Sequence, residues 1–172
     1  MAHIVVVGAG QAGSSLVSKL RNSGFEGKVT LIGAEPHPPY QRPPLSKKYL
    51  LGDMPLDRLY LRPETFYRKQ NITLRLGLQI TKIDPNGRSI LLDNEAVSYD
   101  HLALTTGSVP RSLPTAIGGA LDGVHVVRDL RDIDAMAPRF DAKARVLIVG
   151  GGYIGLEAAA VAATKGLEVT LV

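Results

Sequence analysis

The residues whose types and spacing suit chemistry here are glycines, and the chemistry is the binding of a pyrophosphate. Gly8-Ala9-Gly10-Gln11-Ala12-Gly13 follows directly on the apolar run His3-Ile4-Val5-Val6-Val7. Each glycine of that spacing has a separate role. Gly8 makes a tight turn, Gly10 lets the backbone approach a phosphate, and Gly13 lets a helix pack closely on the strand. Glu35 stands just beyond the next apolar run, Lys28 to Ile32. Its carboxylate is placed to accept hydrogen bonds from the two hydroxyls of an adenosine ribose. Glycine makes up 18 of the 172 residues. Three at this spacing therefore arise by chance about once in six such chains, so the pattern draws its weight from its setting of strand, turn, helix, strand and acid.

That setting recurs. Arg145-Val146-Leu147-Ile148-Val149 runs into Gly150-Gly151-Gly152-Tyr153-Ile154-Gly155, and an alanine-rich helix over Leu156 to Lys165, ended by Gly166, leads to a strand from Glu168 to Val172. Two such units imply two dinucleotide sites. The pairing this suggests is a tightly held flavin dinucleotide and a transient nicotinamide dinucleotide, with hydride passing between their rings. By analogy with Glu35, the acid for the second ribose would come immediately after Val172.

No other machinery competes for the role. The sequence offers no Ser/His/Asp arrangement, metal cluster or close carboxylate pair, and His3, His37, His101 and His125 are dispersed and read as structural or solvated. There is no cysteine, which excludes a thiolate metal site, a structural disulfide and a redox-active Cys pair within these residues. The 20 basic and 16 acidic residues give a net charge of +4 without a basic block. That argues against nucleic acid, while a mildly basic face suits an acidic protein partner. The apolar start is too short for a signal peptide and nowhere do eighteen apolar residues run together, so a soluble, cytoplasmic protein without membrane contact is expected.

The elements that must position these residues follow from pattern. The continuous β-branched run at Ile4 to Val7 reads as a parallel strand with helices on both faces, and a helix from about Ala12 to Asn22 ends at Gly24. Five prolines between Gly33 and Pro44 hold that stretch extended and keep it from hydrogen-bonding as helix or sheet. It is either a stiff binding surface, with Arg42 and Lys47 on or beside it, or a rigid crossover. Ser46 is expected to N-cap a short helix, Lys47 to Leu51, closed by Gly52, and Pro63 to Lys69 suggests another. Ile72 to Leu74, Gln79 to Ile83, Arg88 to Leu92 and Ala96 to Tyr99 read as the short strands of an antiparallel insertion, with a hairpin turn at Asn86-Gly87. A strand over Asp100 to Leu104 then stops at Thr105-Thr106-Gly107, where a ligand's polar parts would lie. Ser108 to Gly123 has the composition of a domain junction, Val124 to Val127 reads as a strand, and Asp129 to Arg139 as a polar helix.

Four segments together carry a family resemblance: the first glycine turn, Pro39-Tyr40-Gln41-Arg42-Pro43-Pro44-Leu45-Ser46-Lys47, Leu104-Thr105-Thr106-Gly107, and Gly150 to Glu157. Over the whole 172 residues the chain resembles the N-terminal portion of the FAD-dependent NADH:ferredoxin reductases of the putidaredoxin/rhodocoxin reductase type. These serve cytochrome P450 and dioxygenase systems. The proline stretch ending in Leu-Ser-Lys is the most specific element, because flavoprotein disulfide reductases share the glycine patterns but carry a Cys pair that this chain lacks. The resemblance implies an α/β glutathione-reductase-like flavoprotein fold with two Rossmann-type dinucleotide-binding units, both incomplete here. Residues 1–110 would be the N-terminal part of an FAD-binding domain with an antiparallel insertion, and 111–172 the start of an NAD(H)-binding domain.

It further implies that Gly8, Gly10, Ala12 and Gly13 cradle the FAD pyrophosphate, that Glu35 binds its ribose, and that Arg42 and Lys47 lie against FAD, with Lys47 near the flavin. Ile80 would pack by the adenine, and Thr106, Gly107 and Arg128 would complete that side of the site. Gly150, Gly152, Tyr153, Ile154, Gly155 and Glu157 would face NADH. Ala34 stands where many relatives carry an acid, and Thr105 where alanine is usual. The implied activity is electron transfer from NADH through FAD to a [2Fe-2S] ferredoxin. Rubredoxin, oxygen or a nitrite reductase module are alternative acceptors. For 172 residues alone, the alternatives are a non-catalytic nucleotide-binding module or self-association of a half-built sheet. Family members run to about four hundred residues, so the expectation is a chain that stops inside the second unit, before the position that chooses NADH over NADPH.

Overall fold

Val5 and Val6 are neighbours on one strand and both are fully buried, which requires a cover on each face of the sheet that holds them. In the computed structural model, which describes residues 1–140 and 143–172, that strand is β1 (His3–Val7). The chain divides into two units that interleave in sequence, Met1–Tyr40 with Tyr60–Ser108, and Gln41–Leu59 with Val109–Val172.

In the first unit β1 lies between β2 (Lys28–Gly33) and the strand His101–Leu104, with Ile72–Leu76 (β3) outside β2. All three pairings are parallel, Val5 standing opposite Thr30 on one side and Leu102 on the other. Helix α1 (Gln11–Asn22) and the short α2 (Glu64–Lys69) supply the cover for one face. There Val6, Val29, Leu31 and Ile72 form a core with Val17 and Tyr67. The other face is covered differently from the expectation of helices. Val5 and Ile32 pack there against Ile90 and Leu92, which belong to a three-stranded antiparallel sheet of β4 (Ile80–Asp84), β5 (Ser89–Leu92) and β6 (Glu95–Ser98). A β-sheet buries apolar strand residues as well as a helix does, so the run at Ile4 to Val7 is the same for either cover.

Two further readings change. Ile72 to Leu74 is no part of the antiparallel insertion but a strand of the main sheet, because α2 acts as the crossover that returns the chain parallel beside β2. The proline stretch does enter a sheet-like pairing: Tyr40 forms an antiparallel bridge with Tyr60, and the Pro39 carbonyl, which proline retains, accepts from the Leu61 N–H at 2.9 Å. The Asn86-Gly87 turn joins β4 to β5, with the Asp84 carboxylate accepting from both backbone N–H groups at 3.1 and 2.9 Å. The last strand of the main sheet is β7 (His101–Leu104).

Arg21, in the last turn of α1, ties two connections together. Its guanidinium donates to four backbone carbonyls, those of Gln70, Phe25, Gly27 and Asn71, at 2.6 to 2.8 Å. The planar fork suits this, since loop carbonyls without a partner would otherwise need water.

In the second unit β8 (Arg145–Ile148), α4 (Tyr153–Thr164) and β9 (Glu168–Leu171) form a parallel strand-helix-strand. Val146 and Ile148 are half-buried, whereas Leu147 and Val149 are 63% and 60% exposed, so among the described residues one face of this two-stranded sheet has no cover. Helix α4 starts at Tyr153 rather than Leu156, because Gly152 takes the extended N-cap conformation and its carbonyl accepts from Leu156 N–H at 3.0 Å. Asp129 caps α3 (Leu130–Met136) through a capping box with Asp132, and the helix buries Leu130, Ile133 and Met136. Residues 124–127 form no strand; among the described residues no strand pairs with them.

Ser46 caps nothing. Residues 45–49 form a wide turn in which Tyr49 N–H reaches the Pro44 carbonyl at 3.0 Å, and the helical path breaks at Lys47 (φ −129°, ψ −113°). Among the described residues no helix is long and apolar enough to cross a membrane.

Candidate functional site

The first glycine turn is closed at two positions and open at one. Gly8, at φ +109°, donates its N–H to the Ile32 carbonyl at 2.8 Å. A Cβ there would sit 2.1 Å from the Thr105 carbonyl oxygen, and a Cβ on Gly13 would sit 2.1 Å from the Gly8 carbonyl oxygen and 3.0 Å from Leu31. At Gly10 a Cβ would meet no atom within 4 Å. Gly10 is also the N-cap of α1, makes no side-chain cap, and is followed by a first turn without an acidic residue. The leading N–H groups of a helix have no partner within it. Open space beside backbone donors, with no acidic side chain in the first turn, is what a pyrophosphate needs, so these residues fit one. Ala12 lies exposed in that first turn, and Thr106 and Gly107 lie exposed beyond β7.

Thr105 earns its place by hydrogen bonding. Its Oγ1 proton is shared between the carbonyls of Val7 at 3.0 Å and Gly8 at 2.9 Å, while its N–H donates to Val7 at 2.7 Å. An alanine would leave the carbonyl of the turn's first glycine without this donor. The sequence pattern marks Thr105 only as a departure from a motif.

Glu35 is held at both backbone and side chain. Gly33 packs against Ala9, where a Cβ would come within 2.6 Å of the alanine methyl, which draws the end of β2 toward the glycine turn. The Glu35 carbonyl accepts from Gly77 N–H at 3.0 Å, and its carboxylate Oε2 accepts from the hydroxyl of Tyr40. Ile80, at the start of β4, is half-buried against Val5, Ile32, Ile90 and Leu92. Sequence reasoning misses Gly33 and Tyr40; the signals available are a glycine closing a β-branched strand and a lone aromatic among prolines.

Arg42, Lys47 and Arg128 fall in the second unit, with Gly150, Gly152, Tyr153, Ile154, Gly155 and Glu157. There Arg42 Nη1 donates to the Arg128 carbonyl at 2.6 Å. Both oxygens of Glu157 are engaged, Oε2 by the buried Ser46 hydroxyl at 2.6 Å and Oε1 by Lys47 Nζ at 2.9 Å. The Ser46 hydroxyl, and after it the Lys47 ammonium, hold the Glu157 carboxyl below its ordinary range. Glu157 is therefore held as a carboxylate at neutral pH, with the half-exposed Lys47 beside it. In the second glycine turn Gly150 (φ +112°) donates to the Val172 carbonyl at 2.7 Å, a Cβ on Gly155 would lie 2.1 Å from the Gly150 carbonyl oxygen, and Gly152 is open. Tyr153 and Ile154, in the first turn of α4, are 88% and 53% exposed.

Two strand-glycine turn-helix units of this geometry define a protein with Rossmann-type dinucleotide-binding units in tandem. The chain belongs to the pyridine nucleotide-disulphide oxidoreductase family, which it matches over residues 2–172. It is 43% identical to a ferredoxin–NAD(P)(+) reductase of a Sphingomonas species over 98% of this chain and 41% of that protein. It is equally 43% identical to rhodocoxin reductase of Rhodococcus erythropolis, over 98% of this chain and 40% of that one. Its fold matches putidaredoxin reductase in the crystal structure of its covalent complex with putidaredoxin, with TM-score 0.93 at 41% identity over 99% of this chain and 42% of that one. The chain thus spans about two fifths of the length of the relatives it matches.

Proposed function

We propose that this chain is the part of a flavoprotein oxidoreductase that holds FAD through its first unit and begins the NADH site with its second, and that the protein passes electrons from NADH to a [2Fe-2S] ferredoxin. What carries the reading is the 43% identity, along 98% of the chain, to proteins named ferredoxin–NAD(P)(+) reductase and rhodocoxin reductase. The lack of any cysteine in these residues agrees with an acceptor other than a protein disulfide. Residues 1–110 are assigned to an FAD-binding domain and 111–172 to the start of an NAD(H)-binding domain, although Gln41–Leu59 cluster with Val109–Val172.

In this reading Gly8 and Gly13 shape the turn, and Gly10 with the N–H groups around Ala12 receives the pyrophosphate. Glu35 takes the adenosine ribose, and Ile80 offers an apolar wall to the adenine. Thr106 and Gly107 complete the FAD side of the first unit; Arg42 and Arg128, which belong to the second, are assigned to FAD by the family resemblance alone, Arg42 being oriented through its bond to the Arg128 carbonyl. Bound FAD supplies the exchange of a two-electron hydride for single electrons. The protein contributes position and charge: Glu157 and Ser46 hold Lys47, assigned to the flavin side, while Gly150, Gly152, Tyr153, Ile154, Gly155 and Glu157 form the NADH side. We assign the protein to the cytoplasm, where NADH is available to it.

The test is spectroscopic. The protein carrying this chain is expected to hold FAD, to be bleached by NADH under anaerobic conditions, and to be reoxidised faster by a [2Fe-2S] ferredoxin than by oxygen or rubredoxin. NADH reduction without acceleration by ferredoxin would remove the proposed acceptor, and no flavin spectrum after incubation with FAD would remove the site.

A further inference from the structure

Tyr40 is only 4% exposed, and a buried phenol needs a partner for its hydroxyl. It has an unusual one, the carboxylate Oε2 of Glu35 five residues earlier. An O–H donor to a carboxylate is among the stronger hydrogen bonds available to a side chain. Both ends of the contact are anchored independently. Tyr40 is fixed by its antiparallel bridge to Tyr60 and by the bond from Leu61 N–H to the adjacent Pro39 carbonyl, and Pro38 and Pro39 beside it are buried. The backbone of Glu35 is fixed by Gly77, and that of Gly33 by Leu78 N–H at 3.1 Å. Meanwhile Gly33 closes against Ala9 of the glycine turn. A glutamate at a loop position otherwise samples several rotamers, and each must be given up before it can receive a ligand.

We propose that Tyr40 is a positioning residue, its hydroxyl holding the Glu35 carboxylate in the orientation that receives both hydroxyls of the adenosine ribose of a bound dinucleotide. The proposal rests on the reading of the first unit as a dinucleotide site. It deepens that reading by naming what sets the selectivity of the acid. Because Tyr40 acts through Glu35, its effect is specific to ligands that carry ribose hydroxyls. A tyrosine that merely filled space would affect all ligands alike.

The experiment titrates the 172-residue chain with ADP and with 2′,3′-dideoxy-ADP, followed by NMR at the Gly10 and Glu35 amides. Wild type is expected to prefer ADP. Tyr40→Phe, which removes one oxygen and keeps the ring, is expected to weaken ADP about tenfold while leaving dideoxy-ADP unchanged, and to have no further effect in a Glu35→Ala background. Equal weakening of both ligands, or no change for ADP, overturns the proposal. A wild type that does not bind ADP, or binds both ligands alike, overturns the ribose reading itself, and is seen before any substitution is made. A second measurement needs no variant: the Tyr40 hydroxyl proton resonance is expected to shift with ADP and not with dideoxy-ADP, and a resonance indifferent to both refutes the coupling.

Discussion

A single methyl group placed at Gly10 or at Gly13 separates binding from folding. At Gly13 the methyl would lie 2.1 Å from the Gly8 carbonyl oxygen and 3.0 Å from both Leu31 Cδ1 and Thr105 Oγ1. Relief requires α1 to move off β1 by about an ångström, which for an overpacked core costs about 1–3 kcal/mol. The same shift disturbs the Thr105 hydroxyl, shared between Val7 and Gly8, at about 1 kcal/mol more. Gly13→Ala is therefore expected to destabilise by about 2–4 kcal/mol, and to lower Tm by about 5–15 °C for a chain of this size. At Gly10 the φ of −96° suits any residue and the methyl meets nothing. Alanine is a poorer N-cap than glycine by under about 1 kcal/mol, so Gly10→Ala should melt within a few degrees of wild type. Its methyl occupies the space assigned to the pyrophosphate, and FAD binding, read by flavin absorbance or fluorescence, should weaken at least about 100-fold. A Gly10→Ala chain that binds FAD as wild type does, or a Gly13→Ala chain that melts with wild type, would refute the division of labour.

Arg21→Met keeps the aliphatic stem but abandons four carbonyls; since water reaches part of that site, the expected loss is about 3 kcal/mol rather than the sum of four charged hydrogen bonds, measured by urea denaturation. Glu157 has a folded pKa below its ordinary value, so the stability it contributes is present above that ordinary value of 4.5 and lost as pH falls through the lowered one. The difference in Tm between wild type and Glu157→Gln should accordingly be constant from neutral pH down to about pH 5 and close in more acid solution; a difference that grows with acid would contradict the assignment. Asp129→Ala removes the capping box of α3 and should cost about 1 kcal/mol, with hydrogen exchange accelerated over residues 130–136.

How much of the fold and site is legible in the sequence depends on whether the determinant is local. The turn from Val7 to Gly13 is written in adjacent residues, because the strand, the glycine spacing and the helix are each set within a few positions of one another. The cover over Val5 is not. A β-branched run reports burial on both faces but not whether Val17 or Ile90 does the burying. Ile72 to Leu74 likewise advertises a strand without a partner, and only the α2 crossover makes it parallel. Ser46 shows the limit most clearly. A serine before a lysine pair reads as a helix cap, whereas its partner, Glu157, lies 111 residues away, and no local pattern encodes that. At 124–127 the composition suits a strand, but a strand exists only where another offers it hydrogen bonds.

The two glycine turns test how far a motif determines its own strain. Locally they are duplicates: Gly8 and Gly150 have φ of +109° and +112°, and each donates to the neighbouring strand, at 2.8 and 2.7 Å. The third glycine of each, Gly13 or Gly155, packs 2.1 Å from the first one's carbonyl oxygen if given a Cβ. Their surroundings differ. β1 has strands on both sides, and beyond β7 the Thr105 carbonyl oxygen fills the place of a Gly8 Cβ at 2.1 Å; among the described residues β8 pairs with β9 alone, and a Gly150 Cβ meets nothing within 4 Å. Gly150→Ala should then carry only the cost of a positive φ, about 1–3 kcal/mol. Gly8→Ala carries that cost and also the displacement of β7 and its hydrogen bond from Thr105 N–H to Val7, about 2–4 kcal/mol more. Denaturant titration of the two variants decides it: equal losses would mean that the strain belongs to the turn alone, and a larger loss at Gly8 that the neighbouring strand sets it.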